Sequence, residues 1–369
     1  MSELYIGLMS GTSLDGVDGV LIDFANGPLQ VLAHQHAPFD APLRSQLLAL
    51  NQSGPDELHR SALAANALSR LYAQVVQSLL ADAQLQAAQI RAIGAHGQTV
   101  RHQPGLHDGI GYSLQIQNPS LLAELSGIAV VADWRSRDVA AGGQGAPLVP
   151  AFHQAVFGQA GQDLAVLNVG GIANLSVLSA QGDALGFDCG PGNVLMDLWC
   201  QRHKGQAYDD AGRWAASGQV QADLLTRWMQ EPFFHKPPPK STGRDLFHAP
   251  WLESHLAAGP ALAPQDVQAS LCALTAESIA FAVSKHAPRC SHLMVCGGGA
   301  YNQCLMDMLQ SRLPWLSVAS TAESGLSPSQ VEAAAFAWLA RQTCLGFPGN
   351  LPTATGAKGA RVLGGIYPA

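Results

Sequence analysis

The chain has 369 residues, of which 13% are charged and 47% are hydrophobic, and its formal net charge is −7. The scarcity of basic residues argues against a nucleic-acid-binding protein, because such proteins neutralise phosphates with clusters of Lys and Arg. The ample hydrophobic content excludes an intrinsically disordered chain. At roughly 100–200 residues per domain, the length predicts two domains.

The N-terminal segment and the cysteines favour a cytoplasmic location. The N-terminal residues lack the basic region of a signal peptide, and no apolar run in the sequence approaches the ~20 residues that span a bilayer. The seven cysteines form no Cys-x-x-Cys pair, and a chain of this length does not need disulfides. We therefore expect a reduced, cytoplasmic enzyme.

The first half of the chain begins with a strand, a glycine-rich turn and a second strand. Apolar and alternating patterns predict these strands over Leu4–Met9 and residues 17–24. Leucines and valines at helical spacing predict a long amphipathic helix over residues 55–81. The other predicted elements are strands at 29–34, 92–95, 112–117 and 128–134 and a helix from Pro119. Strands and helices therefore alternate, as is typical of α/β proteins.

The second half begins with the same arrangement. A buried strand is predicted over Leu164–Val169, followed by a glycine-rich turn at 170–174 and a return strand at 175–178. Ser327 and Pro328 predict the N-cap and the first turn of a last helix. The other predicted elements are a strand at 293–296, helices at 263–286, 328–344 and from about Val194 and Gln303, and a proline-rich excursion at 233–244. Two similar α/β halves are the prediction, although chance similarity between two glycine-rich hairpins stays open.

Three glycine-rich turns follow short apolar strands, at residues 11–16, 170–174 and 297–300. Glycine lets the backbone approach an anion closely, and successive N–H groups can form a nest around phosphate oxygens. Neither a P-loop nor the Gly-x-Gly-x-x-Gly dinucleotide fingerprint is present. Each turn taken alone is a weak indication of a phosphate site, because glycine mostly marks tight turns.

Two aspartates flank the first turn, and a third follows an apolar strand in the second half. A carboxylate beside bound phosphates requires a bridging cation, so Asp15, with Asp18 nearby, indicates Mg²⁺ held partly through water. Aspartate is also common in turns that bind nothing. Asp188 precedes Cys-Gly-Pro-Gly, where it is placed to act as a base or to cap the helix that begins near Val194.

Other polar residues of interest lie at Arg135, Glu332 and in His96-Gly-Gln-Thr99. Arg135 can bind a carboxylate or phosphate through two hydrogen bonds, or take part in a surface ion pair with its acidic neighbours Asp133 and Asp138. Glu332 interrupts an apolar helix and faces either solvent or a cleft. The His96 segment offers donors to hydroxyl or amide groups, or holds a satisfied histidine. Zinc-ligand spacings and the Gly-x-Ser-x-Gly elbow are absent from the sequence.

Six sequence blocks together resemble the anhydro-N-acetylmuramic acid kinase family. They are Met9-Ser-Gly-Thr-Ser-Leu-Asp-Gly-Val-Asp18, His96-Gly-Gln-Thr99, Asn168-Val-Gly-Gly-Ile-Ala-Asn174, Phe187-Asp-Cys-Gly-Pro-Gly-Asn193, Lys240-Ser-Thr-Gly-Arg244 and Cys296-Gly-Gly-Gly-Ala300. The resemblance extends from Leu4 to Pro368 and covers essentially the whole chain. The first block is highly specific, unlike the separate glycine clusters.

The resemblance implies the fold of actin, sugar kinases and heat-shock ATPases. This fold has two related α/β domains of the ribonuclease H-like type, with ATP in the cleft between them. The expected domain I covers residues 1–130, with 346–369 packing back on it, and domain II covers 131–345. Domain I would carry the first phosphate loop, and domain II the second phosphate loop, the catalytic aspartate and the adenosine loop.

The resemblance also implies a reaction. Members of the family use ATP and Mg²⁺ to convert 1,6-anhydro-N-acetylmuramic acid and water to N-acetylmuramic acid 6-phosphate, with cleavage of the anhydro ring. This places the chain in peptidoglycan (murein) recycling and amino-sugar catabolism. The implied partners are the amino sugar and ATP, without nucleic acid or membrane, and we expect a homodimer.

Site residues are implied one by one. Asp188 matches the catalytic base, and Asp15 would lie near Mg²⁺. The ATP and phosphate positions are Gly11, Thr12, Ser13, Leu14, Asp15, Gly16, Val17, Asp18, Gly170, Gly171, Asn174, Gly297, Gly298 and Gly299. The residues that match or adjoin sugar-binding positions are Gln98, Thr99, Arg135 and Glu332. Trp134 and Ser136 depart from the family pattern, so either Arg135 or Arg137 contacts the lactyl carboxylate of the sugar.

Two other functions remain alternatives. An ATP-independent glycosidase would have two carboxylates placed across a sugar and would act without ATP. A non-enzymatic ATP switch of the actin or chaperone kind would hydrolyse ATP slowly and without dependence on a sugar.

Overall fold

The computed structural model describes residues 3–11, 13–25, 27, 29–243 and 246–369. The strands are β1 (Leu4–Met9), β2 (Gly16–Asp23), β3 (Gln30–Pro38), β4 (Ala92–Ala95), β5 (Gln98–Pro104), β6 (Gly111–Ile116), β7 (Val130–Ala132), β8 (Leu164–Val169), β9 (Ile172–Leu178), β10 (Ala184–Pro191), β11 (His292–Cys296), β12 (Ser317–Ser320) and β13 (Gly365–Tyr367).

The α-helices are α1 (Ala41–Ala49), α2 (Glu57–Ala83), α3 (Pro119–Ser126), α4 (Ser136–Ala140), α5 (Val149–Phe157), α6 (Val194–Lys204), α7 (Arg213–Ala216), α8 (Ala222–Trp228), α9 (Pro232–His235), α10 (Ala249–Ala257), α11 (Pro264–His286), α12 (Gln303–Arg312), α13 (Val331–Leu345) and α14 (Pro352–Thr355). Short 3₁₀ helices cover Ala87–Gln89, Asp210–Gly212, Gly298–Tyr301 and Thr321–Ser324.

The chain forms two compact units, Met1–Phe152 with Gln330–Ala369, and His153–Ser329. These boundaries differ from the predicted domain boundaries at 130 and 345. Strand β7 pairs with β4 in the sheet of the first unit, and α13 packs against β1 in the same unit. Residues 131–152 and 330–345 therefore belong to the first unit, because their apolar faces are buried there.

The first unit is built on a six-stranded sheet with the order β13-β7-β4-β1-β2-β3. Strands β1, β2 and β3 form an antiparallel meander, whereas β4 and β7 run parallel to β1. Helix α2 covers one face, where a side chain at Gly19 would overlap Val75. Helix α13 lies so close to β1 that a side chain at Gly7 would overlap the carbonyl oxygen of Ala333.

The second unit is built on a five-stranded sheet with the order β10-β9-β8-β11-β12. Strands β8, β9 and β10 form an antiparallel meander, and β11 and β12 continue the sheet in parallel. Helix α11 is long and apolar enough to cross a membrane by length and composition, which the sequence analysis did not anticipate. Because 83% of its apolar stretch is buried inside the protein, α11 is the central core helix of this unit.

Both sheets contain the same arrangement of their first five strands. In each, a meander of strands one to three is followed by parallel strands four and five, in the order 3-2-1-4-5. The first two strands of each meander are the two glycine-rich hairpins that the sequence predicted. Two α/β units with the same strand order are what the resemblance implies, so the predicted α/β fold class is confirmed.

Three predicted local features are wrong. The last helix begins at Val331 after Gln330 and not at Pro328, because the Pro328 carbonyl accepts a hydrogen bond from the N–H of Gly297 and is not available to a helix. The second turn is shorter than predicted, since β9 already begins at Ile172. Asp188 lies inside β10 and not at a strand end.

Candidate functional site

The first glycine-rich loop connects β1 to β2 in the first unit. Its Leu14 has a φ of +57°, and the Leu14 carbonyl accepts a hydrogen bond from Nε of Arg44 at 3.0 Å. Asp15 is exposed, and its Oδ1 accepts hydrogen bonds from Oγ of Ser13 at 2.7 Å and from the N–H of Gly16 at 3.0 Å. Thr12 lies outside the described residues. The loop is thus folded by its own side chains, with one carboxylate at its surface.

The last three of the phosphate-binding positions predicted in this segment, Gly16, Val17 and Asp18, lie in β2. Val17 is fully buried in the core of the first unit. Asp18 faces β3, where its Oδ1 lies 3.0 Å from Nδ1 of His36 and 3.5 Å from Nε2 of His34. The phosphate-binding role of Gly16, Val17 and Asp18 therefore stays a prediction.

Arg135 and the first loop are connected through His96. Nη2 of Arg135 lies 2.9 Å from Nε2 of His96, and Nδ1 of His96 lies 3.3 Å from the carbonyl oxygen of Ser10. Because arginine only donates and a carbonyl only accepts, this chain requires a neutral imidazole with its proton on Nδ1. Burial, together with the nearby Arg135 charge, lowers the pKa of His96 to about 3, which agrees with that tautomer.

The second anchor of Arg135 leads to the C-terminal part of the chain. Its Nη1 donates to the carbonyl oxygen of Gly145 at 2.7 Å, and the N–H of Gly145 donates to Oδ2 of Asp138 at 2.8 Å. Oδ1 of Asp138 accepts from Nδ2 of Asn350 at 2.6 Å and from Oγ1 of Thr355 at 2.8 Å. Asp138 is fully buried, so the alternative of a surface ion pair is wrong for this residue.

Three more residues of the predicted sugar site lie in the first unit. Gln98 is buried, and its Nε2 donates to the carbonyl oxygen of Gly11 at 3.0 Å. Its Oε1 has no hydrogen-bond partner among the described residues. Oγ1 of Thr99 accepts from Nε2 of Gln115 at 3.1 Å, and Glu332 is half-buried in the first turn of α13. Gln98 therefore joins β5 to the first loop.

Arg137, the other candidate for the lactyl carboxylate, lies exposed on α4. Arg135 is half-buried and held at both terminal nitrogens, whereas Arg137 projects from a short surface helix. A guanidinium that is already oriented loses less side-chain entropy when it binds a planar anion. This geometry favours Arg135.

The second unit carries a polar row across three neighbouring strands. Asp188 on β10 lies opposite Asn174 on β9, which lies opposite Asn168 on β8. Directly opposed residues project on the same face of an antiparallel sheet. The Oδ1 atoms of both asparagines are buried and have no hydrogen-bond partner within the described ranges. The row thus presents acceptor atoms beside a carboxylate.

Asp188 is held by the backbone of a distant segment. Its N–H donates to the carbonyl oxygen of Lys240 at 3.0 Å, and its Oδ2 accepts a hydrogen bond from the N–H of Thr242 at 2.9 Å. The alternative role as a helix N-cap is wrong, because Asn193 occupies that position at α6. Sequence reasoning quoted the Lys240 block but gave neither Lys240 nor Thr242 a role.

The second glycine-rich loop is braced against the start of α6. The carbonyl oxygen of Gly170 accepts from the N–H of Asn193 at 2.8 Å, and that of Gly171 accepts from the N–H groups of Gly192 and Val194 at 2.9 and 3.1 Å. Because the carbonyl groups are engaged by these donors, the loop is fixed at the N-terminus of an 11-residue helix. This is a suitable place for an anion.

The third glycine-rich loop packs against the second hairpin. Gly297 has a φ of +76°, and a side chain there would overlap Oδ1 of Asn168. A side chain at Gly299 would overlap Val169. These two glycines are required by the fold of the protein itself.

Each of the three loops also contains one glycine that has free space beside its backbone. A side chain at Gly11, Gly170 or Gly298 would meet no protein atom closer than 3.6 Å, and none of the three has a positive φ. Neither packing nor backbone conformation therefore requires glycine at these positions. The space is available to a ligand that approaches the backbone closely.

Two other kinds of chemistry receive no support from the described residues. Burial raises the pKa of the Cys189 thiol, which disfavours a nucleophilic thiolate. Within the described part of the chain, no group of three His, Cys, Asp or Glu side chains is placed to hold a metal ion. A single carboxylate such as Asp15 suits Mg²⁺, which keeps several waters and binds phosphate oxygens.

Comparison with known proteins gives matches over the whole chain. The sequence model of the family described as anhydro-N-acetylmuramic acid kinase matches residues 3–369. A protein named anhydro-N-acetylmuramic acid kinase from Variovorax paradoxus (strain S110) is 60% identical over 372 residues, covering 100% of this chain and 99% of that protein. One of the same name from Cupriavidus pinatubonensis (strain JMP 134 / LMG 1197) is 59% identical, covering 99% of this chain and 98% of that protein.

The likeness to solved structures is weaker. An activator of 2-hydroxyisocaproyl-CoA dehydratase from Clostridium difficile, with bound ADPNP, has a TM-score of 0.46 and 13% identity, covering 91% of this chain and 93% of that chain. A ROK family glucokinase from Streptomyces griseus, in complex with glucose and AMPPNP, has a TM-score of 0.41 and 13% identity, covering 92% and 99%.

Proposed function

Because the chain belongs to the anhydro-N-acetylmuramic acid kinase family, we propose that this enzyme transfers the γ-phosphoryl group of ATP to O6 of 1,6-anhydro-N-acetylmuramic acid while water adds to C1. The bond between C1 and O6 breaks, O6 takes the phosphoryl group, and the products are N-acetylmuramic acid 6-phosphate and ADP. The observation that carries this proposal is the placement of Asp188, a carboxylate held by a backbone N–H beside a row of acceptor atoms.

Asp188 acts in this reaction as the base that removes a proton from the attacking water. An inverting glycosidase needs a second carboxyl group as the acid that protonates the leaving oxygen. Here the phosphoryl group takes the place of that proton on O6, so one carboxylate is sufficient.

The phosphate groups of ATP bind at the first and second glycine-rich loops, and the adenosine at the third. The open spaces at Gly11, Gly170 and Gly298 support this assignment, because phosphoryl transfer depends mainly on close positioning and on charge neutralisation. Asp15 would hold Mg²⁺ through water, and the ion would neutralise charge on the phosphates.

Arg135 binds the lactyl carboxylate of the sugar. Plain sugars lack this charge, so the contact gives the site its selectivity for a muramic acid derivative. The contacts with Gly145 and His96 orient the guanidinium in advance, which reduces the entropy lost on binding. Gln98, Thr99 and Glu332 complete the sugar site with hydrogen-bonding groups.

The substrate defines the place of the enzyme in metabolism. Anhydro-muramic acid arises from the turnover of peptidoglycan, and its 6-phosphate is a substrate for amino-sugar catabolism. We therefore place the reaction in murein recycling in the cytoplasm, and we propose that the enzyme is a homodimer that binds neither nucleic acid nor membrane.

Mass spectrometry of the product formed from the anhydro sugar and ATP in ¹⁸O water tests the proposal. We expect a product that has gained both a phosphoryl group and solvent oxygen at C1. Gain of phosphate with an intact anhydro ring would refute the coupled reaction. Turnover without ATP would indicate a glycosidase, and ATP hydrolysis that is independent of the sugar would indicate an ATP switch.

A further inference from the structure

Lys240 is a buried lysine close to the candidate base. Its side chain is 9% exposed, and its Nζ donates to the carbonyl oxygens of Phe233 at 3.1 Å and Phe234 at 2.9 Å. The nitrogen lies 4.7 Å from the ring centroid of Phe233 and 5.9 Å from that of Phe187. The ammonium group is therefore surrounded by carbonyl oxygens and aromatic faces.

Burial of this ammonium group is energetically unfavourable unless protein groups compensate for its lost hydration. Burial lowers the pKa of Lys240, and a buried charge is tolerated only when hydrogen bonds replace its hydration. The two carbonyl groups belong to α9, a helix of four residues, and the Phe233 carbonyl also accepts a hydrogen bond from the N–H of Lys236 at the end of this helix. Lys240 therefore joins its own segment to the end of α9.

The same segment contacts Asp188 at two points. Strand β10 is at the edge of its sheet, so its outer backbone groups pair with no neighbouring strand. The carbonyl oxygen of Lys240 accepts from the N–H of Asp188, and the N–H of Thr242 donates to Oδ2 of Asp188. Residues 240–242 thus take the place of a neighbouring strand at the position of the carboxylate.

We propose that Lys240 is a positioning residue for the reaction: its ammonium anchors residues 240–242 on the carbonyls of Phe233 and Phe234, and these residues orient the Asp188 carboxylate through the N–H of Thr242. The inference rests on the proposed role of Asp188 as the base. It gives a function to the Lys240-Ser-Thr-Gly-Arg244 block, which the proposed reaction does not otherwise use.

The test compares Lys240→Met, which keeps the length of the side chain and removes its donors, with Lys240→Arg, which keeps donors and charge. Lys236→Met is the matched control, because Lys236 lies exposed in the same segment. Hydrogen exchange of the peptide containing residues 240–243 reports the anchoring. Steady-state kinetics report kcat and both KM values, and a pH profile of kcat/KM reports the base.

We expect Lys240→Met to accelerate exchange in this peptide and to lower kcat by roughly 100-fold, as a small displacement of a catalytic group does. Both KM values should change less than about threefold, because ground-state binding is retained. The acidic limb of the profile should move to higher pH, since a carboxylate that loses an N–H hydrogen bond holds its proton more tightly. Lys240→Arg should restore most of kcat, and Lys236→Met should resemble the wild type.

Two further measurements separate positioning from folding. In the Asp188→Asn background, Lys240→Met should have little additional effect on turnover, because both changes act on the same group. If Lys240→Met does not fold, Lys240→Gln replaces it. An unchanged kcat in the folded variant, unchanged exchange, or an equal loss in the Asp188→Asn background would each overturn the inference. The proposed function is refuted if the wild type is inactive on the anhydro sugar. If Lys240→Met still accelerates exchange in that case, the anchoring role of Lys240 is retained.

Discussion

The two units share the order of their first five strands, yet they hold their main candidate residues by different means. In the first unit, Arg135 is fixed by an imidazole and a carbonyl oxygen on either side of its guanidinium. In the second unit, Asp188 is oriented by the backbone N–H of Thr242. The cation is thus held by acceptors and the carboxylate by a donor.

The comparison shows how one topology supports two kinds of chemistry. The contacts of Arg135 with Gly145 and neutral His96 use uncharged acceptors, and these acceptors position the guanidinium. The contact of Asp188 with Thr242 uses an uncharged backbone donor, and this donor orients the carboxylate. The shared strand order positions the functional residues, and the local contacts of each residue determine its chemistry.

Asp188→Asn is expected to reduce turnover more than any of the other substitutions. The amide keeps the shape of the side chain but cannot accept a proton from water, so turnover should fall by about 10³-fold or more. ATP affinity, measured by isothermal titration calorimetry, should change by less than about twofold. Asp183→Asn, an exposed change directly before β10, is the control. Turnover like that of the wild type in Asp188→Asn would remove this residue from the role of base.

Arg135→Ala should have the next largest effect. Loss of a charge-assisted pair with the lactyl carboxylate should raise KM for the sugar by roughly 10-fold to 100-fold and lower kcat less. Steady-state kinetics with the anhydro sugar varied and ATP saturating provide the measurement. Arg137→Ala should leave KM near the wild-type value, because that side chain lies exposed on α4. The reverse result would transfer the role to Arg137.

Gly11→Ala, Gly170→Ala and Gly298→Ala test whether the open spaces in the loops belong to ATP. Each methyl group fits the protein, so the free energy of unfolding measured in urea should stay the same or rise by up to about 1 kcal/mol. KM for ATP should rise by about 10-fold, because the methyl group occupies ligand space. Gly127→Ala, at a φ of +66° outside the loops, should show the opposite pattern: lower stability and unchanged KM. An unchanged KM in all three loop variants would contradict the assignment.

The smallest effect concerns the neutral state of His96. Its pKa is lowered to about 3 by burial, and burial likewise lowers the pKa of His102 to about 4 and of His153 to about 3. Since the unfolded state binds protons near pH 6.5, stability is full above that value and decreases as the pH falls toward 3. Urea unfolding of the wild type and His96→Asn at pH 7, 6, 5 and 4 provides the measurement. The variant should lose less stability on acidification, and an identical loss would contradict a neutral His96.

The sequence predicted those features that depend on neighbouring residues. The two hairpins, α2, α3, α6 and α11 follow from apolar periodicity and turn residues, and the structure confirms them with small shifts of their ends. Local sequence context singled out Asp188 and Arg135 with alternative roles, and the resemblance to a family then implied a catalytic role for Asp188 and a sugar-binding role for Arg135. Periodicity could not have selected these two residues from the other acids and arginines of the chain.

The features that the sequence did not predict depend on contacts between distant residues. Thr242 contacts Asp188 across 54 positions, and His96 contacts Ser10 across 86. The two units differ from the predicted domain boundary at 345 because α13, far along the chain, packs on β1, close to the N-terminus. The helix at Pro328 was extended too far because a local capping pattern does not reveal that Gly297 uses the Pro328 carbonyl.

The return of the chain to the first unit has a consequence for biosynthesis. Residues 153–329 form an uninterrupted unit, whereas the first unit requires residues 330–369. Asn350 and Thr355 engage Asp138, which holds Gly145 and through it Arg135. A nascent chain can therefore complete its second unit during synthesis, whereas the hydrogen bonds of Asp138 with Asn350 and Thr355 form only after these later residues have been made.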